Sequence, residues 1–328
     1  MSVVINTNTA STKIQNCLTS ATNKLSKTME RMSSGLKVKS AKDDAAGCVI
    51  SARMKVQLNG NKIAQNNVQN ANSLLSTTEG NLDVVSDNLS RIRDLTLQAK
   101  NGTYSKEEIE AMDDEVQERI AEINRISYSS KFSSSYLFNN GQIVGKNQTI
   151  ELGGLGATFQ VGSNAGDDNI IKADKSLFAS VEFSAMSGIK DFSLNKIADG
   201  TANGKIQYGQ NNVKYTNAGG TATPQVLQND GTYGAASEYD KAILALDEAI
   251  DNITARKSII GSCGNRLDSA LSSLTTQYEN LESANSLIVD ADVASDASTY
   301  TQASILQQVS TSLLAQANSA PSVAMSLV

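Results

Sequence analysis

Val68, Ala71, Leu75, Thr78, Leu82, Val85, Leu89, Ile92, Thr96 and Ala99 follow one another at alternating spacings of three and four residues. Strand positions repeat every second residue, so this rhythm specifies a helix, and its average period is that of a coiled-coil seam. At 1.5 Å per residue the segment makes a rod of roughly 50 Å. No proline interrupts it, because the first is Pro224 and the only other is Pro321.

Two further segments repeat the pattern. After the turn NGTYS (101–105), KEEIEAMDDEVQERIAEINRIS brings acids to a helix start and aligns Ile109, Met112, Val116, Ile120 and Ile123, so it should pack back on the first rod. Leu267, Leu271, Leu274, Tyr278, Leu281, Asn285 and Ile288 predict a third long helix, with Asn285 as a register-setting polar residue and Gly264 as a weak point. Between about 139 and 235, glycine, asparagine and threonine concentrate around short alternating stretches such as TFQVGSNAGDDNII, which read as small hairpins. The expected fold is therefore mainly α: a long antiparallel helical bundle or coiled coil built from both chain ends, with a small β-rich central insertion.

The ends are amphipathic but thin. Ile5, Ile14, Leu18 and Leu25 at one terminus, and Ile305, Val309 and Leu313 at the other, stand among Ser, Thr, Asn and Gln. A buried Leu stabilises by about 1.5 to 3 kcal/mol, whereas ordering a residue costs about 1 to 2 kcal/mol for backbone alone. A lone helix of this kind does not persist, so these residues are expected to be covered by each other and by neighbouring copies. The stretch SSGLKVKSAKDDAAG (33–47) reads as a connector: Gly35 permits angles that a helix interior avoids, Ser40 can cap the next helix, and Asp43 and Asp44 suit its first turn.

With 40% apolar and 5% aromatic residues, the core must be thin or shared. A net charge of -6 gives polyanions no general attraction, so nucleic acid is not an expected partner. Histidine is absent, which removes histidine-based triads and metal sites. Cys17, Cys48 and Cys263 are isolated and read as small apolar residues of helices. The start has no basic flank followed by an apolar run, and no stretch is apolar enough to span a membrane; neither a cleaved signal peptide nor membrane insertion is expected. The remaining catalytic candidates are the acid pairs Asp113 with Asp114 and Asp167 with Asp168. Neighbouring acids on a helix diverge by about 100°, so neither an enzyme nor a metal or cofactor site is expected.

Several strings in this sequence resemble bacterial flagellin: VINTNTAS, ERMSSGLKVKSAKDDAAG, TTEGNLDVVSDNLSRIRDLTLQA, NRLDSALSSL, DADVASD and QASILQQVSTSLLAQAN. Together they cover roughly 1–140 and 238–328. The resemblance implies a subunit that self-assembles into the flagellar filament for swimming motility. Residues 1–40 and 289–328 would form the two halves of an inner tube domain. Residues 41–175 and 237–288 would form the halves of a helical wall domain, and 176–236 a variable outward-facing insertion. Ile5, Ile14, Leu18, Leu25, Ile305, Val309 and Leu313 would then serve self-assembly, with Gly35, Asp43 and Asp44 in the connector. The resemblance further implies export through the flagellar secretion channel after a brief cytoplasmic stage, a chaperone on the C-terminal segment, and filament cap and hook-junction partners in an extracellular flagellum. By matching position, Arg91, Leu95 and Glu115 would contact Toll-like receptor 5, although Ser90 stands where glutamine is usual. A hook-filament junction protein of the same superfamily and a cytosolic coiled-coil scaffold are the alternatives; the scaffold predicts stable dimers.

Overall fold

The computed structural model describes residues 8–133, 135–138, 157–188, 192–198, 225–227, 233–235 and 238–325. It is mainly α, with long helices from both ends of the chain packed against each other. The contacts divide it into two compact units, Met1–Lys62 with Thr275–Val328 and Ile63–Leu274.

In the first unit, helix α1 (Thr9–Ser34) begins at Asn8, whose side chain accepts from Ser11 N, and ends at Gly35 with φ 71. That left-handed angle lets the Gly35 N–H return to the Arg31 carbonyl at 2.8 Å and stops the helix. The last helix, α7 (Val293–Met325), runs antiparallel to α1. Asn8 Nδ2 donates to the Ala317 carbonyl at 2.8 Å and Ser11 Oγ to Asn318 Oδ1 at 2.9 Å. Farther along, Gln307 Nε2 donates to Thr22 Oγ1 at 3.5 Å. Beyond the end of α1, Lys37 N donates to the Val289 carbonyl at 2.7 Å and Ala291 N to the Gly35 carbonyl at 2.9 Å.

Two long helices, α2 (Ala45–Lys100) and α6 (Glu238–Val289), contribute residues to both units. The start of α2 corrects one expectation: its cap is Asp44, not Ser40. Asp44 Oδ1 accepts from Ala46 N and Gly47 N, each at 3.0 Å, because a carboxylate immediately before the helix reaches its orphaned N–H groups. Ser40, farther upstream in the turn, instead donates to Asp43 at 3.2 Å. Gly47 is there for space: an added Cβ would lie 2.5 Å from Asp44 Oδ2 and 3.3 Å from Ile288 Cγ2. Deeper in the same unit, Ser51 Oγ donates to Asn285 Oδ1 at 2.7 Å, so the polar residue of the predicted seam has a partner.

In the second unit, all ten residues of the opening seam are buried. Opposite them α6 runs antiparallel, tied by Asn72–Asp268, Asp83–Lys257, Arg93–Asp247 and Lys100–Asp240. Each step along α2 is matched by an equal step back along α6, which leaves no room for a register slip. Helix α3 (Lys106–Ser129) starts with a capping box, in which Ser105 and Glu108 satisfy each other's backbone N–H, and buries Val116, Ile123 and Ile126. Gly264 does not break α6, and a Cβ there would meet nothing within 4 Å. Gly264→Ala is therefore expected to stabilise the unit by about 0.8 to 1 kcal/mol, read as a higher urea midpoint at unchanged slope.

Three two-stranded antiparallel ladders occur among the described residues: β1 (Lys131–Phe132) with β2 (Ser135–Tyr136), β3 (Thr158–Gln160) with β4 (Ile170–Lys172), and β5 (Gln225–Leu227) with β6 (Tyr233–Ala235). The stretch that follows β4 is less peripheral than its sequence suggests. Leu177, Phe178, Val181, Phe183, Met186, Phe192, Leu194 and Ile197 all join the core of the helices. They lie on a single 3-10 turn, on two short helices, α4 (Phe183–Ser187) and α5 (Leu194–Ala198), and on the segments beside them. An insertion boundary at 175/176 would assign all of these core residues to the insertion and split the turn Lys175–Phe178.

Candidate assembly surface

Helix α7 turns its weaker face inward. The positions that pack toward α1 are Ala303, Gln307, Ser310, Leu314 and Ala317, at four-three spacing, with Ala303 and Ser310 buried. Apart from Leu314, its larger apolar side chains point the other way: Ile305 is 55% exposed, Leu306 49%, Val309 47% and Leu313 47%. Small inward residues allow close helix approach, but they leave an apolar ridge that a single copy does not cover. After Asp296 the helix carries no charged residue, so nothing along the ridge opposes burial.

Ile14, Leu18 and Leu25 behave differently from Ile305, Val309 and Leu313, with which they were grouped. They share a face of α1 with buried Ala21 and Thr28, and they are half-buried in one copy. Their own chain covers them only in part, across the face of α7 that carries Ala303 and Ser310. Ile5 lies outside the described residues. In the connector, Gly35 ends α1 and Asp44 starts α2, while Asp43 pairs with Lys27 Nζ at 3.1 Å. The bonds from Lys27 and then Ser40 hold the Asp43 carboxyl below the usual carboxylate range.

On the second unit, Arg91 and Glu115 meet directly. Arg91 Nε donates to Glu115 Oε1 at 2.8 Å and Nη2 to Oε2 at 3.0 Å, a bidentate pair between α2 and α3. Arg91 pulls the Glu115 carboxyl below its ordinary range. Two partners were missed in the sequence: Arg119 reaches Glu115 at 3.4 Å and Asn88 Oδ1 at 3.1 Å. Asn88 lies three residues before Arg91 and Arg119 four after Glu115, so helical spacing was the available signal. Leu95 is not part of this surface: at 2% exposure it belongs to the core.

The acid pairs are not arranged for acid-base chemistry. Asp113 is buried and occupied, accepting from Ser193 Oγ and Leu194 N at 2.8 Å each, so it caps α5. Asp114 is exposed and points elsewhere. Asp167 lies 3.3 Å from Lys172 Nζ on an exposed turn. Among the described residues no group of three or more His, Cys, Asp or Glu could hold a metal ion, and no helix is long and apolar enough to cross a membrane. Cys263 is buried and Cys48 intermediate, but Cys17 is exposed, unlike the apolar packing expected of it.

The two chain termini thus form a helical hairpin with an apolar ridge that one copy leaves uncovered, and comparisons with known proteins place both termini in one family. Residues 5–142 match the family described as the bacterial flagellin N-terminal helical region, and residues 243–328 match the bacterial flagellin C-terminal helical region. The chain is 35% identical to a flagellin of Serratia marcescens and 30% identical to polar flagellin F of Vibrio parahaemolyticus, each over 100% of both chains. A solved structure from Vibrio parahaemolyticus, named as a flagellar hook-associated protein, shares the fold over 75% of this chain and 99% of its own, with a TM-score of 0.50 at 15% identity. The sequence matches, which span both helical ends, establish that this chain belongs to the bacterial flagellins, the structural subunits from which flagellar filaments are built.

Proposed function

We propose that copies of this chain join through the outward ridge of α7, with Ile305, Val309 and Leu313 as its contact residues. The exposure of that ridge, opposite the face that meets α1, carries the reading. Burying an exposed apolar side chain contributes about 1.5 to 3 kcal/mol when complete, and a helical polymer repeats the gain at every subunit. In this reading Ile14, Leu18 and Leu25 act indirectly, by holding α7 in place, and Gly35, Asp43 and Asp44 form a joint between inner tube and wall.

The same ridge calls for cover before export, which a cytoplasmic chaperone on the C-terminal segment supplies. The chain then passes unfolded through the flagellar secretion channel, assembles outside the cell beneath a filament cap, and joins hook-junction proteins at the filament base. Seeded assembly of purified chain, viewed by electron microscopy, tests the reading: long tubes support it. Assembly that stops at a short collar supports a hook-filament junction role, which the shared fold of the hook-named structure keeps open. A stable dimer that ignores seeds supports a coiled-coil scaffold and overturns polymerisation.

The Arg91–Glu115 pair is the proposed contact for Toll-like receptor 5, with Leu95 beneath it as support and not as a direct contact. Arg91→Ala removes the bidentate donor and is expected to reduce a reporter-cell response by roughly tenfold or more. An unchanged dose response would assign the pair to holding α2 and α3 together.

A further inference from the structure

Within the first unit the charges of α2 and α6 are sorted by helix. From Ala45 to Thr78 the sequence contains Arg53, Lys55 and Lys62 but no carboxylate, and from Leu267 to its end it contains acids but no Lys or Arg. Arg53 and Glu279 are exposed, and neither has a side-chain hydrogen bond or ion pair among the described residues. Both are therefore available to another molecule.

Their placement gives them a direction. In this unit α2 and α6 meet at Gly47, Ser51, Asn285 and Ile288. At 100° per residue, Val49, Arg53 and Val56 lie on the side of α2 away from that contact, and Glu279, Ser283 and Leu287 on the side of α6 away from it. Val49 is 54% exposed, Val56 72% and Leu287 82%. One side of the helix pair thus presents Val-Arg-Val, the other Glu-Ser-Leu, and the two look in opposite directions.

The geometry points to a heterologous contact between copies of this chain, in which the Val49–Arg53–Val56 face of α2 docks on the Glu279–Leu287 face of α6 in the next copy. Unlike, mutually complementary faces on opposite sides cannot close on themselves as a two-fold dimer does; they add copies in one direction, as an open filament requires. Arg53 meets Glu279 across the contact, and the two valines flank it where Leu287 is uncovered. The inference rests on the polymerisation reading, but it assigns a contact separate from the α7 ridge.

A charge swap tests it on the full chain. Arg53→Glu and Glu279→Arg, each alone, place like charges opposite each other in every contact and are expected to raise the critical concentration for seeded growth at least about tenfold. The double variant Arg53→Glu with Glu279→Arg restores the pair in reversed order and is expected to return growth to within about threefold of the parent, at unchanged monomer circular dichroism. Growth of both single variants at the parental critical concentration overturns the inference while polymerisation stands. Failure of the double variant to recover, with its monomer folded, also overturns it. Failure of the parent chain to extend seeds overturns the polymerisation reading itself.

Discussion

Replacing Leu313 by aspartate is expected to abolish seeded filament growth and to leave the far-UV circular dichroism of the monomer nearly unchanged. In one copy Leu313 is 47% exposed and faces away from α1, so the monomer can keep an aspartate hydrated. In a contact with another copy the substitution forfeits about 1 kcal/mol of apolar burial and adds the cost of stripping water from a carboxylate, several kcal/mol for a buried ion. A total of about 4 kcal/mol raises the critical concentration roughly a thousandfold, beyond practical concentrations. Leu313→Ala removes only the apolar part and is expected to raise it about fivefold. Parental growth by Leu313→Asp would mean that the ridge faces solvent in the polymer.

The long helices were legible because a seam repeats. Each of the ten residues from Val68 to Ala99 confirms its neighbours' phase, and tertiary structure had only to supply the partner. The inner face of α7 was not legible for the converse reason. Ala303, Gln307, Ser310 and Ala317 also keep heptad spacing, but small and polar side chains do not stand out against a background of Ser, Gln and Ala. Ile305, Val309 and Leu313 could be seen to form a stripe; that the stripe faces outward follows only from the choice of the other face for α1. Leu95 misled in a related way. Placed one turn after Arg91, it looked like part of a surface pair, yet it lies between Ile92 and Thr96 and widens the buried stripe beyond the strict seam.

The six phenylalanines held a signal that composition alone conceals. At 132, 138, 159, 178, 183 and 192, they all fall in the stretch otherwise marked by turns and short strands. Core-fillers are scarce in this chain but not evenly scarce. Phe138, Phe178, Phe183 and Phe192 are buried in the core of the second unit, which the long helices complete with Val, Ile, Leu and Ala.

Phe178→Ala is accordingly expected to destabilise the second unit by about 3 to 5 kcal/mol, the range for emptying a fully buried aromatic site. For a unit of this size that lowers the thermal midpoint by roughly 6 to 20 °C. The site cannot readily collapse around the missing ring because its backbone is pinned from several directions. The half-buried Arg256 guanidinium, its pKa pushed down by desolvation, donates to the Ala179 carbonyl at 2.9 Å. Asn124 Oδ1 accepts from Phe183 N at 3.0 Å, and Gln117 Nε2 donates to the Phe192 carbonyl at 2.7 Å. Asp113 holds Ser193 and Leu194. Those contacts come from α3 and α6, so the segment is bolted to two helices that relaxation would have to move. If this stretch instead hung outward as a separate insertion, the same substitution would cost under about 1 kcal/mol, and the melting curve would scarcely shift. Calorimetry of the monomer, with Phe178→Leu as the volume-sparing comparison, separates the two outcomes.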